Sequence, residues 1–275
     1  MADIRVAASQ ARDAAPWIEG MARVGFVAKG VLYGTIGVFA AMAAMKMGGG
    51  VTDTRGAMST LVEAPLGRVL LAVMAAGLLG YALWRIIEGV ADPERRGNDF
   101  KGIAVRGSFV VRGLAHAALG VSALLLAAGR SSGGGNGEEG RQATRTAFEL
   151  PGGELLLYAA AIGIAGYGLY QLYRAAVAKL SKQLNVGEMR GEAGHWVIWV
   201  SRFGIAARGV VFLAVGWTVF RAAQEQDPNE TGGIRQAFSV IGEWGRWPFA
   251  AVAFGLIAYG IYNLLNARYR RIRAG

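Results

Sequence analysis

Apolar residues along the chain gather into six long blocks separated by short polar segments. Residues 24–45 are interrupted only by Lys29, 69–84 are uncharged, and 107–129 carry Arg112 as their one full charge. Residues 155–173 and 247–266 are uncharged, and 203–220 carry only Arg208. A bilayer core about 30 Å thick needs roughly 20 mostly apolar residues of helix to cross it. The pattern therefore predicts six transmembrane helices. Alanine and glycine keep each block only moderately hydrophobic, so a buried helical bundle in a soluble protein is the rival, and six such blocks make it the weaker one.

Composition supports lipid as the solvent. Of 275 residues 53% are apolar and only 17% charged, against about a quarter charged in an ordinary soluble domain. The absence of cysteine excludes a disulfide scaffold and a thiolate metal site. The first block is preceded by 23 polar or mixed residues that include Asp3, Arg5, Arg12, Asp13 and Glu19, a poor match to a short basic leader. It reads as a retained helix.

Lys and Arg resist translocation, so their distribution sets the orientation. The segments before helix 1, between helices 2 and 3, between 4 and 5 and after 6 hold fifteen: Arg5, Arg12, Arg23, Arg95, Arg96, Lys101, Arg106, Lys179, Lys182, Arg190, Arg202, Arg268, Arg270, Arg271 and Arg273. The opposite loops hold nine, beside ten acidic residues. Both termini are expected to be cytoplasmic. The net charge of +10 is then an orientation signal that needs no nucleic-acid partner, and the Arg-rich tail suits contact with anionic lipid.

A repeat is written three times. The odd helices share Arg, five residues, Lys or Arg, Gly, six residues, Gly: Arg23, Lys29, Gly30, Gly37; Arg106, Arg112, Gly113, Gly120; Arg202, Arg208, Gly209, Gly216. The even helices share a small residue, Tyr, a small residue, an aliphatic, an aromatic and a polar residue, at 80–85, 166–171 and 258–263. Each outer loop adds Arg, any residue, Ala and a large apolar residue, ending at Met58, Phe148 and Phe238. These read either as turns covering the bundle or, preferably, as interfacial helices with the apolar residue in lipid and the Arg at headgroup level. Residues 130–139 are rich in Ser, Gly and Asn and are expected to be flexible.

The organisation that follows is a cytoplasmic segment 1–22, two-helix repeats at 23–92, 106–178 and 202–268, and a basic cytoplasmic tail 269–275. Every repeat starts on the same side, so the repeats are parallel and predict an all-α, six-helix bundle with pseudo-threefold symmetry, N-in/C-in. The tripled Arg, Lys/Arg-Gly and Gly-Tyr-Gly/Ala patterns resemble the bacterial membrane family of domain of unknown function 1206. That resemblance covers residues 20–270 and implies an integral inner-membrane protein without supplying an activity. Mitochondrial carriers also contain three two-helix repeats, but their Pro, acid, Lys/Arg motif is missing here.

Glycines seven apart fall on one helix stripe, and close packing is sufficient to explain them. The even helices carry polar aromatic stripes at i, i+3, i+4 and i+7. They are Tyr81, Trp84, Arg85, Glu88; Tyr167, Tyr170, Gln171, Arg174; and Tyr259, Tyr262, Asn263, Asn266. One reading is an interfacial aromatic belt with snorkelling ends; the other turns these groups toward protein or water. Lys29, Arg112 and Arg208 lie six residues, roughly 9 Å, beyond the boundary arginines, and they too either snorkel or face inward. If both sets point inward, Lys29, Arg112, Arg208, Arg85 and Arg174 oppose Glu88 in a cytoplasmic vestibule that attracts anions.

The ligand-binding candidates are therefore those six residues with Tyr81, Tyr167, Tyr259, Gln171 and Asn263. His116, at the position of Tyr33 and Phe212 in the other repeats, reads as a packing or hydrogen-bonding residue. His195, beside Trp196 and Trp199, belongs to an interfacial stretch. No nucleophile, paired metal ligands or phosphate loop stands out, so no enzyme and no cofactor is expected. The partners expected are the bilayer and a small anion or anionic lipid headgroup. The alternative is a membrane scaffold or assembly protein with no solute site.

Overall fold

The structure is a computed structural model, and it describes residues 2–47, 54–63, 67–92, 97, 99–130, 138–177 and 193–269. All regular structure among them is helical. In chain order the helices are α1 Ala2–Ala44, α2 Thr54–Glu63, α3 Gly67–Ala91, α4 Phe100–Ala127, α5 Glu138–Phe148, α6 Gly153–Val177, α7 Ala193–Glu225, a 3-10 turn Pro228–Glu230, α8 Gly233–Glu243 and α9 Arg246–Tyr269.

Six of these, α1, α3, α4, α6, α7 and α9, contain stretches long and apolar enough to cross a membrane, the number expected from the apolar blocks. The chain is a multi-pass membrane protein by that measure, and its burial pattern agrees. Large apolar side chains point outward, with Leu155 74% and Ile162 71% exposed, while Gln171, Asn263, Asn266, Ser201 and Thr218 are buried. In water such a surface would be costly; in hydrocarbon it is the favourable side, and the polar groups are the ones that must be enclosed.

Two helices run longer than the blocks predict. α1 already starts at Ala2, within an alanine-rich segment of high helix propensity. α7 takes in His195, Trp196 and Trp199, the stretch expected at the interface, and both tryptophans are exposed. Asp99 caps α4, its Oδ1 accepting from the Gly102 amide at 3.2 Å. The outer elements are the helices α2, α5 and α8, but their apolar residues depart from expectation. Met58 and Phe238 are buried in protein, and Phe148 is half-buried against Ala147, Leu157 and Val219. Phe238 meets the Phe249 ring edge-on at 5.6 Å. Burying these side chains between packed helices removes them from the headgroup region, where an apolar group gains less.

The flexible segment expected at 130–139 lies outside the described residues over 131–137, as do Arg95, Arg96, Asn98, Lys179, Lys182, Arg190, Arg270, Arg271 and Arg273. The chain divides into two compact units. One comprises Met1–Lys29, Thr60–Ser132 and Asn266–Gly275, the other Gly30–Ser59 and Gly133–Leu265.

Glycines set the helix contacts within both units, in one register. In the first, a Cβ on Gly113 of α4 would lie 3.0 Å from the Ala82 carbonyl oxygen and 2.7 Å from Ile86 of α3. In the second, Gly209 of α7 meets Gly168 and Leu172 of α6, and Gly30 of α1 meets Gly260 and Leu264 of α9. Counted from each repeat tyrosine these partners are equivalent, at +1 and +5. Each odd helix thus packs on the even helix of another repeat, a pairing the stripe of glycines could not reveal. The boundary arginines add to it. Arg106 donates to the carbonyls of Gly89 and Val90, both at 2.9 Å, and Arg23 to those of Ala267 and Arg268. They close the carbonyl ends of α3 and α9, which lack intrahelical partners.

Candidate functional site

The eleven candidate residues fall into two clusters, one in each unit. In the first unit, the Lys29 Nζ sits 3.7 Å from the Tyr81 ring centroid. Arg85, one turn after Tyr81, donates from Nε to the Tyr81 hydroxyl at 2.9 Å and ion-pairs with Glu88. Arg112 donates to Ser108 Oγ at 3.0 Å, and the guanidinium groups of Arg85 and Arg112 lie 5.0 and 5.4 Å from the Phe109 ring. His116 donates from Nδ1 to the Arg112 carbonyl at 2.7 Å and packs on Tyr81 at 4.7 Å. Helical spacing produces all of this, since Tyr81, Arg85 and Glu88 share one face of α3 and Ser108, Arg112 and His116 one face of α4. Of the three cations in this cluster, Arg85 pairs with the buried Glu88 carboxylate, while Lys29 lies on Tyr81 and Arg112 on Ser108 and Phe109.

The second unit is organised around Arg208. Its guanidinium lies 4.7 Å from the Phe212 ring, 5.1 Å from Tyr259, 5.5 Å from Tyr167 and 5.6 Å from Tyr33. Nε donates to the Tyr33 hydroxyl at 3.2 Å and Nη1 to the Tyr167 hydroxyl at 3.1 Å. Four helices supply this cage: α1 gives Tyr33, α6 Tyr167, α7 Phe212 and α9 Tyr259. Tyr33 and Tyr259 meet edge-on at 4.8 Å, and Tyr167 and Phe212 at 5.0 Å, so the walls also support one another. Among the described residues no carboxylate reaches Arg208 within ion-pair distance. Each desolvated cation–π contact contributes up to about 2 kcal/mol, enough together to hold a cation within the membrane span but without neutralising it.

Arg174 donates to the Tyr262 hydroxyl at 2.9 Å, and the Asn263 amide donates to the Tyr259 carbonyl at 2.7 Å. Gln171 is 1% exposed, and its Nε2 has no hydrogen-bond partner among the described residues. The third stripe is fully buried, with Tyr259, Tyr262, Asn263 and Asn266 all inside, whereas Tyr170 of the second is 55% exposed.

The repeats are therefore unequal. Lys29 and Arg208 each contact the tyrosine of their own repeat, Tyr81 and Tyr259, while Tyr167 is engaged by Arg208. Four residues before the cation, Gly204 allows the Tyr259 backbone to approach, since a Cβ there would overlap the Tyr259 amide nitrogen. A Cβ on Gly25 would make an ordinary 3.6 Å contact with Tyr81, and the second repeat has Ser108. A Cβ on Gly163, at the position of the packed Gly77, would meet nothing within 4 Å. Sequence reasoning did not assign Phe109 a role, and it noted Tyr33 and Phe212 only as counterparts of His116. Their spacing of four residues after Lys29 and Arg208 was the available signal.

Residues 24–92, 107–178 and 203–270 each match the family described as Domain of Unknown Function (DUF1206). Uncharacterized protein YxxB of Bacillus subtilis (strain 168) is 27% identical over 261 residues, spanning 94% of this chain and 93% of that protein. No solved structure gives a significant match. The three matched segments contain the three copies of the cation, glycine and tyrosine positions from which both clusters are built, and the chain belongs to this domain-of-unknown-function family.

Proposed function

We propose that this is a non-enzymatic protein of the bacterial inner membrane, with both termini cytoplasmic, that binds or passes a small anion or an anionic lipid headgroup at its repeat cations. The observation that carries the reading is Arg208, a guanidinium enclosed by four aromatic rings and matched by two phenols but by no described carboxylate. An ionised group kept inside a membrane span at such cost is a functional position by default, and an incoming anion supplies the missing opposite charge. Shared register at three helix pairs, Gly30 with Gly260, Gly113 with Ala82 and Gly209 with Gly168, supports the pseudo-threefold arrangement of parallel repeats.

The test is thermal unfolding of purified protein in chloride, phosphate and sulfate at constant ionic strength. Stabilisation by at least one anion is expected, and it should vanish in a Lys29→Gln, Arg112→Gln, Arg208→Gln variant that still folds. Equal behaviour in every anion would defeat the reading. Orientation is checked by cysteine labelling. S132C should react from the periplasmic side, and N98C only after permeabilisation; the reverse would invert the topology.

The second reading, a scaffold or assembly protein, is favoured by the first cluster, where Arg85 already has Glu88 and Lys29 already lies on Tyr81. It predicts a partner recovered by mild crosslinking whose recovery those substitutions leave intact.

A further inference from the structure

Arg23, Arg106 and Arg202 occupy one position of the repeat, seven residues before the packed glycines Gly30, Gly113 and Gly209. Two of them end on a neighbouring helix. Arg106 donates to the carbonyls of the eighth and ninth residues after Tyr81, and Arg23 to those of the eighth and ninth after Tyr259. The equivalent acceptors for Arg202 are the carbonyls of Ala175 and Ala176, near the end of α6, the helix on which Gly209 packs. Arg202 donates to neither. Among the described residues it has no hydrogen bond and no ion pair, and its Nε is enclosed without an acceptor. Of its three nitrogens only Nε is so enclosed, and the residue is half-buried, which leaves the four donors of Nη1 and Nη2 accessible and unclaimed.

The surroundings of those donors suit lipid. Trp199, three residues before Arg202, is its neighbour on the surface of α7. Trp196, Trp199 and Phe203, at i, i+3 and i+7, form one face and are 61%, 68% and 47% exposed. Tryptophan favours headgroup level, and Phe203 stands further along α7 toward the hydrocarbon. No acid on these helices balances the arginine. The sole acids of α6 and α7 are Glu154 and Glu225, each about 30 Å or more away at the opposite end of its helix, whereas the cation Arg174 stands on the same half. A phosphodiester brings what is missing, two non-ester oxygens that match the guanidinium fork and one negative charge. The ammonium of a zwitterionic headgroup would enter this positive field with no acid to receive it, while a glycerol headgroup adds hydroxyls and no charge. We infer that Arg202 and Trp199 form a binding site for an anionic phospholipid, its phosphate on Nη1 and Nη2, its glycerol backbone beside Trp199 and an acyl chain along Phe203. The site is separate from Arg208 and independent of the anion reading above.

The experiment is native mass spectrometry of the full chain in detergent micelles, titrated with phosphatidylglycerol or with phosphatidylcholine of the same acyl chains. The wild type is expected to bind phosphatidylglycerol about fivefold more tightly than phosphatidylcholine. Arg202→Gln should weaken phosphatidylglycerol binding about fivefold and leave phosphatidylcholine unchanged. Arg106→Gln should keep the wild-type preference, because that arginine is already engaged by Gly89 and Val90. Equal affinity for the two lipids in the wild type, phosphatidylglycerol binding unchanged in Arg202→Gln, a fall shared by phosphatidylcholine, or an equal loss in Arg106→Gln each overturns the site. Because Arg202 holds no partner in the fold, Arg202→Gln should unfold in phosphatidylcholine within about 2 °C of the wild type. A variant that unfolds earlier, or does not fold, shows that the side chain serves the fold and overturns the proposal. Free glycerol phosphate should not compete with the lipid; competition assigns Arg202 to a soluble phosphate and likewise overturns the lipid site. An unfolding temperature indifferent to chloride, phosphate and sulfate would defeat the Arg208 reading and leave this one standing.

Discussion

Two cation clusters built from the same repeat positions solve the burial of positive charge in different ways. In the first unit Arg85 is held by a carboxylate, Glu88, itself 7% exposed, so the charge is cancelled locally. In the second, Arg208 is held by Tyr33, Tyr167, Phe212 and Tyr259, which lower the cost of its burial and leave the charge in place. A salt bridge closes a site, whereas an aromatic cage keeps a cation available to a ligand that brings its own negative charge. Arg85 stands four residues after its repeat tyrosine and Arg208 at the odd-helix cation position, so the contrast is between two ways of holding a cation within one repeated framework.

The contrast is sharpest in what truncation leaves behind. Arg85→Leu strands the Glu88 carboxylate without its ion-pair partner and should cost about 3 kcal/mol, most of it recovered in the Arg85→Leu, Glu88→Leu double variant. Arg208→Leu strands no carboxylate and should cost about 1–2 kcal/mol, although Arg208 is the more enclosed of the two. Equilibrium unfolding in mixed micelles measures both, and a larger loss for Arg208→Leu would erase the distinction. Smaller effects resolve the cage wall by wall. Tyr33→Phe and Tyr167→Phe each remove a hydroxyl that accepts from the guanidinium and should cost about 1 kcal/mol. Tyr259→Phe keeps the ring 5.1 Å from Arg208 and removes no hydroxyl bond to it, so its effect should stay below about 0.5 kcal/mol. Equal losses at all three tyrosines would mean that the cage acts by packing alone.

Much of this was legible along the chain, because the bilayer imposes a length and a polarity that apolar blocks report directly. The six spans, the three repeats and the family follow from Arg23, Lys29, Gly30 and their copies. What could not be read was which helix each glycine stripe meets, since a stripe specifies a close approach and not a partner; Gly113 chooses α3 and Gly209 chooses α6. Nor did the boundary arginines show that Arg23 and Arg106 also cap α9 and α3, because that depends on the neighbouring helix ending beside them. Met58 and Phe238 were placed in lipid because amphipathic patterning gives an apolar face but not its solvent. The Arg208 cage escaped for a related reason. Its rings come from residues 33, 167, 212 and 259, and only Phe212 is near Arg208 in sequence.

Crystals of the wild-type chain soaked in bromide would locate an anion directly through its anomalous signal. The account predicts a peak within hydrogen-bonding distance of the Arg208 guanidinium, absent in Arg208→Gln crystals. A guanidinium sealed by its four rings, with no peak beside it in the wild type, would contradict it.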